Sequence, residues 1–266
     1  MKRILLFLFL ILACSTQVFA SYISLQTSVS SKVVGDVLQV TVSAVNKGDE
    51  SAYNVQAEVR VGGQKVLAER LQELEIGNTY KVSGSFNVGK IIPGQYPLIV
   101  VMHYADANMY PFSALNCQIF LYKTKDLPND IFGAVKSTNF WKNGKLKLTL
   151  KNLADSTINA AANLITPREL TVEQVPGNID LPAKGSKSVE FKLENFSALS
   201  GSSYQVFAIS EYEKDGRHIT TITPGIVKIV ETQNILGISY IYLIAALVVL
   251  VLIFLAYQLG ASFLKK

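Results

Sequence analysis

His103, His218 and Cys117 are the side chains of this 266-residue chain best suited to acid–base or nucleophilic chemistry. His103 lies near the end of the apolar run GQYPLIVVMHYAD at 94–106, next to Tyr104 and close to Asp106. A histidine beside a carboxylate can serve as a general base. The members of a Ser-His-Asp group converge only in space, so the many serines and aspartates leave that arrangement open. No G-x-S-x-G elbow occurs, and a zinc site would need three or four converging Cys, His or carboxylate ligands. HExxH, CxxC and paired-histidine spacings are all absent from the sequence. VGGQK at 61–65 reads as a hairpin turn, not a phosphate loop. Asp106-Ala107-Asn108 could offer oxygens to calcium, or simply form a polar loop tip. The sequence therefore assigns no catalytic, cofactor-binding or metal-ligating residue.

Strands must position whatever these residues do. Period-two alternation recurs at 37–45, 53–61, 80–88, 96–104, 145–153, 187–195, 204–212 and 225–231, broken by Gly, Pro, Asn and Asp. In the run at 96–104 the alternation sets Tyr96, Leu98, Val100, Met102 and Tyr104 on one face, and Pro97, Ile99, Val101 and His103 on the other. His103 is then a solvent-side or edge histidine. In LNCQIFLY, Cys117 shares a face with Leu115, Ile119 and Leu121, which predicts a buried structural thiol on an apolar face. The stretch 67–77 (LAERLQELEIG) fits a helix through Leu67, Leu71 and Leu74, and a strand through Leu74 and Ile76.

The two halves of the body align at a constant offset. Leu38 and Leu146, Gly77 and Gly185, Tyr96 and Tyr204, and Tyr104 and Tyr212 are each 108 positions apart. NKGDESAYN (46–54) resembles NLADSTIN (152–159) once a small gap is allowed. This pattern predicts an internal duplication. Seven or so strands per copy predict two tandem Ig-like β-sandwiches, over 21–124 and 125–233, with the polar stretch 123–130 at the boundary. Tyr96 and Tyr204, each at the start of a sixth strand, take the place of a tyrosine corner. His103 has Glu211 as its counterpart, so the second copy does not keep the histidine.

Both ends of the chain point to a membrane. Residues 1–20 (MKRILLFLFLILACSTQVFA) have a basic start, a short apolar stretch and small residues before a cut, as in a secretory signal. A competing reading makes Cys14 a lipid attachment site. From Ile235 to Leu259 there is no charged residue, which is long enough to span the bilayer as one transmembrane α-helix. Tyr240, Tyr242 and Tyr257 flank the stretch, and the tail 260–266 ends in Lys265-Lys266, which favours a cytoplasmic C-terminus. The chain carries 25 basic and 20 acidic residues for a net charge of +5. Lys2, Arg3, Lys265 and Lys266 account for most of that excess, so the body is nearly neutral and no nucleic-acid surface is expected. With Cys14 in the leader, Cys117 has no intrachain partner and disulfide scaffolds are excluded.

The segments GDVLQVTVSAVNKGDESAYNVQAEVRV, LEIGNTYKVSGSFNV and PGQYPLIVVMHYAD resemble the CARDB and NEW3 type of extracytoplasmic sandwich. The resemblance rests on Asn46 and Gly48, Gly77, Pro93-Gly94, Tyr96, Tyr104 and Asp106. The second half keeps Asn152, Gly185, Tyr204, Tyr212 and Asp215 but lacks the Pro-Gly pair. The resemblance implies a prokaryotic surface or envelope protein, often with repeated sandwiches and a C-terminal anchor, and it brings no catalytic residues. Translocon-associated membrane subunits share the same plan. The expectation is a non-enzymatic binding or scaffolding protein of the cell envelope, single-pass, with its body outside the cytoplasm. Its partner would be another envelope or membrane protein, with a polysaccharide second. The alternative is a membrane-tethered hydrolase acting on glycan or peptide. Asn195-Phe196-Ser197 is a glycosylation sequon.

Overall fold

The computed structural model describes residues 22–125, 127–173, 178–230, 234–235 and 238–263. The expected signal at 1–20 and the tail lysines lie outside the described residues.

The first half supplies β1 (Leu25–Val34), β2 (Val37–Asn46), β3 (Ala52–Val61), β4 (Gln64–Leu67), β5 (Leu71–Leu74), β6 (Thr79–Asn87), β7 (Gly94–Ala105) and β8 (Pro111–Tyr122). The second supplies β9 (Ile131–Ser137), β10 (Asn143–Asn152), β11 (Ile158–Ile165), β12 (Leu170–Glu173), β13 (Asn178–Leu181), β14 (Ser186–Asn195), β15 (Ser203–Lys214) and β16 (Arg217–Lys228). A short pair, β17 (Asn234–Ile235) and β18 (Ile238–Ser239), leads to α1 (Tyr240–Phe263). The stretch 67–77 contains no helix. It holds the end of β4 and all of β5, which pair with β3, because Leu74 is needed in the first core.

Each half builds its own core by alternation. In β2, Leu38, Val40, Val42 and Ala44 point inward, and in β10, Leu146, Leu148 and Leu150 do the same. A fully buried leucine contributes roughly 1.5–3 kcal/mol, so these periodic triplets and quartets are the main force holding the layers together. One core lies between the sheet β1-β2-β6 and the strands β3, β7 and β8; the other lies between the sheet β12-β14-β10-β9 and the strands β11, β13, β15 and β16. The turns match the sequence. Gly62 and Gly63, at φ 52° and 79°, close the β3–β4 hairpin, and Asp215-Gly216, at 51° and 68°, closes β15–β16.

Two buried asparagines organise equivalent loops. Asn46 donates from Nδ2 to the carbonyls of Glu50 and Leu74 and accepts from Gly48 N. Asn152 donates to the carbonyls of Ser156, Leu181 and Pro182 and accepts from Ala154 N. The outer faces of the two halves also show the same cross-strand hydroxyl pairs, Thr41 with Ser83 at 3.0 Å and Thr149 with Ser188 at 2.9 Å. The halves differ at the tyrosines near the start of β7 and β15, each the seventh strand of its half and not the expected sixth. Tyr96 donates its hydroxyl to Ile92 O at 2.8 Å, whereas the hydroxyl of Tyr204 accepts from Leu199 N at 2.9 Å. Tyr96→Phe is expected to cost about 1 kcal/mol with the fold retained, since one part-buried hydrogen bond is lost and the ring stays; denaturant midpoints with an unchanged m-value would show this.

Cys117 corrects the predicted face. The antiparallel register of β7 and β8 sets Tyr96 against Phe120, Leu98 against Gln118 and Ile99 against Cys117. Phe120 and Tyr122 therefore enter the core, while Ile119 and Leu121 are exposed. Which side of a strand is inside is set by the partner strand. Cys117 nonetheless sits in part-buried surroundings, where burial, with a smaller contribution from Glu211, pushes its thiol up to about 12, so it is a weak nucleophile.

The sequence does not anticipate the joint between the halves. β16 meets β7 in parallel at His218 and Gly94, merging the inner strands of both halves into one nine-stranded sheet. α1 has 24 residues, and its described side chains, Tyr240 to Phe254, are apolar and mostly exposed. Among the described residues no helix is long and apolar enough to cross a membrane.

Candidate functional site

The close approach at the joint needs a glycine. A Cβ on Gly94 would lie 2.2 Å from His218 O and 2.7 Å from His218 N. His218 N donates to Pro93 O at 3.1 Å, Thr220 Oγ1 donates to Gln95 O at 2.8 Å, and Gln95 Nε2 donates to Leu127 O at 3.0 Å. The imidazole of His218 lies flat on the ring of Tyr96, with centroids 4.2 Å apart and planes 1° from parallel. A second set of contacts lies further along the interface. Glu169, fully buried, accepts from Ser113 N and Ser113 Oγ at 2.7 Å each, and Arg168 N donates to the same hydroxyl at 2.9 Å. The Tyr110 hydroxyl donates to Ser197 O.

A groove opens beside this joint. Its walls are the β3–β4 hairpin with Arg60 and Lys65, the start of β7 with Tyr96, Pro97 and Ile99, and, across from them, Asn163, Ile165, Ile209 and Glu211 on β11 and β15. Apolar floor and charged rim together suit an extended, amphipathic ligand better than a small polar metabolite.

Neither histidine stands alone. His103 Nε2 lies 3.2 Å from Glu58 Oε2, and His218 Nε2 lies 3.0 Å from Glu211 Oε1. No hydroxyl or thiol is hydrogen-bonded to either imidazole among the described residues. The same holds for metals: no group of three or more His, Cys, Asp or Glu could hold an ion among the described residues. Asp106 uses its carboxylate to cap its own turn, accepting from Tyr110 N at 2.8 Å. The sequon residue Asn195 holds its loop through Trp141 O, Ala198 O and Ala198 N.

Glu58 is the charged centre of the first half. It is 3% exposed, although alternation places it opposite Ala57 and Val59 on the outward side of β3. Burial pushes its carboxyl up, but hydrogen bonds from Lys65, Arg60 and His103 outweigh that and hold it at about 2. Lys65 and Arg60 lie 2.9 and 2.5 Å away. Burial, the largest influence on His103, lowers its affinity for a proton despite Glu58. Both groups depend on pH in the same direction. Each is depressed in the folded protein, so each contributes stability above its unfolded value and loses it as pH falls. Acid titration should remove stability first below about pH 6.5, as unfolded histidine gains a proton, then more steeply from about pH 4.5 towards 2. Glu58→Gln should flatten the second phase by about 2 kcal/mol, a value reduced for screening of the half-exposed Arg60 and Lys65. Urea unfolding across pH 3–7 reads both phases, and an unchanged acid limb in Glu58→Gln would rule this account out.

Glu169, Ser113 and Thr220 are not recoverable from the sequence, because each acquires its partner from the other half, and Glu58 and Glu211 give no signal because their partners on neighbouring strands are fixed only by register. Outward polar positions on β8 and β16 look solvated until the other half packs against them, and Glu58 on β3 looks solvated until Arg60, Lys65 and His103 close around it.

Comparison with known proteins bears on the first half. Residues 21–107 match the CARDB domain. No curated protein matches the chain. Among solved structures, red sea bream transglutaminase is similar over 79% of this chain and 32% of its own, at 11% identity and TM-score 0.30. A Salmonella alpha-2-macroglobulin is similar over 79% of this chain and 16% of its own, at 12% identity and TM-score 0.34. A protein from Porphyromonas gingivalis is similar over 75% of this chain and 98% of its own, at 13% identity and TM-score 0.26. The chain spans no more than a third of the transglutaminase and macroglobulin lengths. At these scores the likeness carries no functional argument.

Proposed function

We propose that this protein is a membrane-anchored binding or scaffolding protein of the cell envelope, with two copies of one Ig-like sandwich as its extracytoplasmic body. The observation that carries the binding role is the CARDB domain at 21–107, with one sheet running through both halves and a groove at the joint. A shared sheet suits scaffolding, because a partner held by one half is positioned relative to the other without a further entropic cost of ordering. The matched asparagine loops and hydroxyl pairs support the duplication. The uncharged stretch Ile235–Leu259 and the adjoining Lys265-Lys266 support the anchor and its orientation. The partner is an envelope or membrane protein offering an extended apolar segment, with a polysaccharide as the competing ligand. In this reading the protein has no catalytic role.

A photo-crosslinker at the exposed position 163, in the full-length protein, should capture one envelope partner stoichiometrically, and Ile99→Arg should abolish the adduct. A protein that runs alone under every mild-detergent condition would refute the reading. Carbonate extraction tests the anchor separately: release into the soluble fraction would remove it. Turnover of a glycan or peptide that disappears in His218→Ala would replace the scaffold with the hydrolase alternative.

A further inference from the structure

Three exposed apolar side chains gather where the chain leaves the second sandwich. Trp141 is 44% exposed, Phe196 74% and Leu199 42%. They come from two loops, 138–142 and 196–202, which line one shallow concavity together with Lys142. The loops are tied to each other, since Asn195 Nδ2 donates to Trp141 O and Asn195 N donates to Lys142 O. They are also tied to the last described residues of the body. Val230 N donates to Phe140 O at 3.0 Å, Gly201 N donates to Ile229 O at 3.0 Å, and Ser200 Oγ donates to Val230 O at 3.3 Å. Trp141 is thus one residue from the strand partner of the exit segment, and Leu199 is two residues from Gly201.

This apolar tip is placed by hydrogen bonds beside the point where the chain departs for α1. Nine residues separate Val230 from Tyr240. Fully extended, they reach roughly 30 Å at most, and the short β17–β18 pairing takes up part of that length. Any bilayer crossed by the stretch 235–259 therefore lies within a few tens of ångströms of the tip, at a fixed end of the body. Tryptophan and phenylalanine on a loop tip, with a lysine whose stem can lie along the surface, have the composition that partitions into the headgroup zone.

We propose that Trp141, Phe196 and Leu199 form a second, shallow membrane contact that seats the end of the second sandwich in the lipid interface. The occupant of the patch is the phospholipid headgroup and upper acyl region of the same bilayer. This rests on the membrane-anchored reading above. Seating by three side chains would fix the tilt of the body on the membrane and hold the groove at a set height and orientation above it.

Trp141 is the only tryptophan in the chain, so its emission reports on the tip alone. The full-length protein would be reconstituted in phosphatidylcholine vesicles, with lipids brominated close to the ester end in one sample and close to the methyl end in another. The expected result is quenching of Trp141 by the shallow label, about threefold stronger than by the deep one, with protection from aqueous iodide. Phe196→Ser with Leu199→Ser should restore iodide access and remove the lipid quenching, with an unchanged far-ultraviolet circular dichroism spectrum. Iodide access without lipid quenching in the wild-type protein overturns the inference. So does protection from iodide without lipid quenching, which would mean that the patch is covered by protein. Carbonate extraction of the same vesicles separates the two claims. Protein that resists extraction while Trp141 stays in water defeats only the seating, whereas protein that washes off defeats the anchor and the seating together.

Discussion

Asn152→Ala is expected to destabilise the second half by about 3 kcal/mol. The side chain is fully buried and satisfies four backbone groups: the carbonyls of Ser156, Leu181 and Pro182 and the N–H of Ala154. Alanine would keep the space but leave those groups without their side-chain partner. Leaving a buried polar group unpaired costs about 1–3 kcal/mol, and water entering the loop would offset part of the total. Urea unfolding followed by the fluorescence of Trp141, which lies in the same half, should show the loss. A midpoint within experimental scatter of wild type would mean that these loops are held by their strands alone. The same substitution at Asn46, which serves three groups, should cost somewhat less.

Gly94→Val is expected to part the two halves. The first side-chain carbon alone would sit 2.2 Å from a backbone oxygen of β16, a contact that no rotamer relieves. The strands must move apart, which breaks the His218–Pro93 hydrogen bond, strains the Thr220–Gln95 bond and unstacks His218 from Tyr96. Overpacking of this kind costs typically 1–3 kcal/mol, and lost hydrogen bonds about 1 kcal/mol each, so a total near 4 kcal/mol is expected at the joint. Each half keeps its own core, so the variant should stay folded within each half while the body as a whole loosens. Small-angle scattering should show a larger radius of gyration, and unfolding should separate into two transitions. A single transition with unchanged dimensions would show that Glu169 and Tyr110 hold the joint unaided.

The strands were legible because the forces that make them are local. In VLQVTVSAV and KLKLTLKNL, alternation names the core residues of β2 and β10 directly, and Gly62-Gly63 marks its hairpin by backbone freedom. The stretch 67–77 was ambiguous because two leucine spacings compete there, and pairing with β3 decides for strand. The face of β8 was misread because LNCQIFLY carries apolar residues on both sides. Only its register against β7 shows that Phe120 is inside and Ile119 outside.

The site residues were hidden for a different reason. His103 and His218 stand out in the sequence by rarity, yet their glutamate partners sit at ordinary outward positions of other strands. Burial of an outward position is a property of what packs on it: Arg60, Lys65 and His103 close around Glu58 within its own half, whereas Ser113 is covered by Glu169 from the other. The sequence by itself determined an all-β body with two cores, the turn positions, the loop asparagines and the uncharged C-terminal stretch, because periodicity, backbone conformation and hydropathy act over a few residues. Only the tertiary structure decided that one sheet runs through both halves, that Gly94 is the point of contact, and that Trp141, Phe196 and Leu199 share one tip, because those facts depend on which distant backbones can approach and pair.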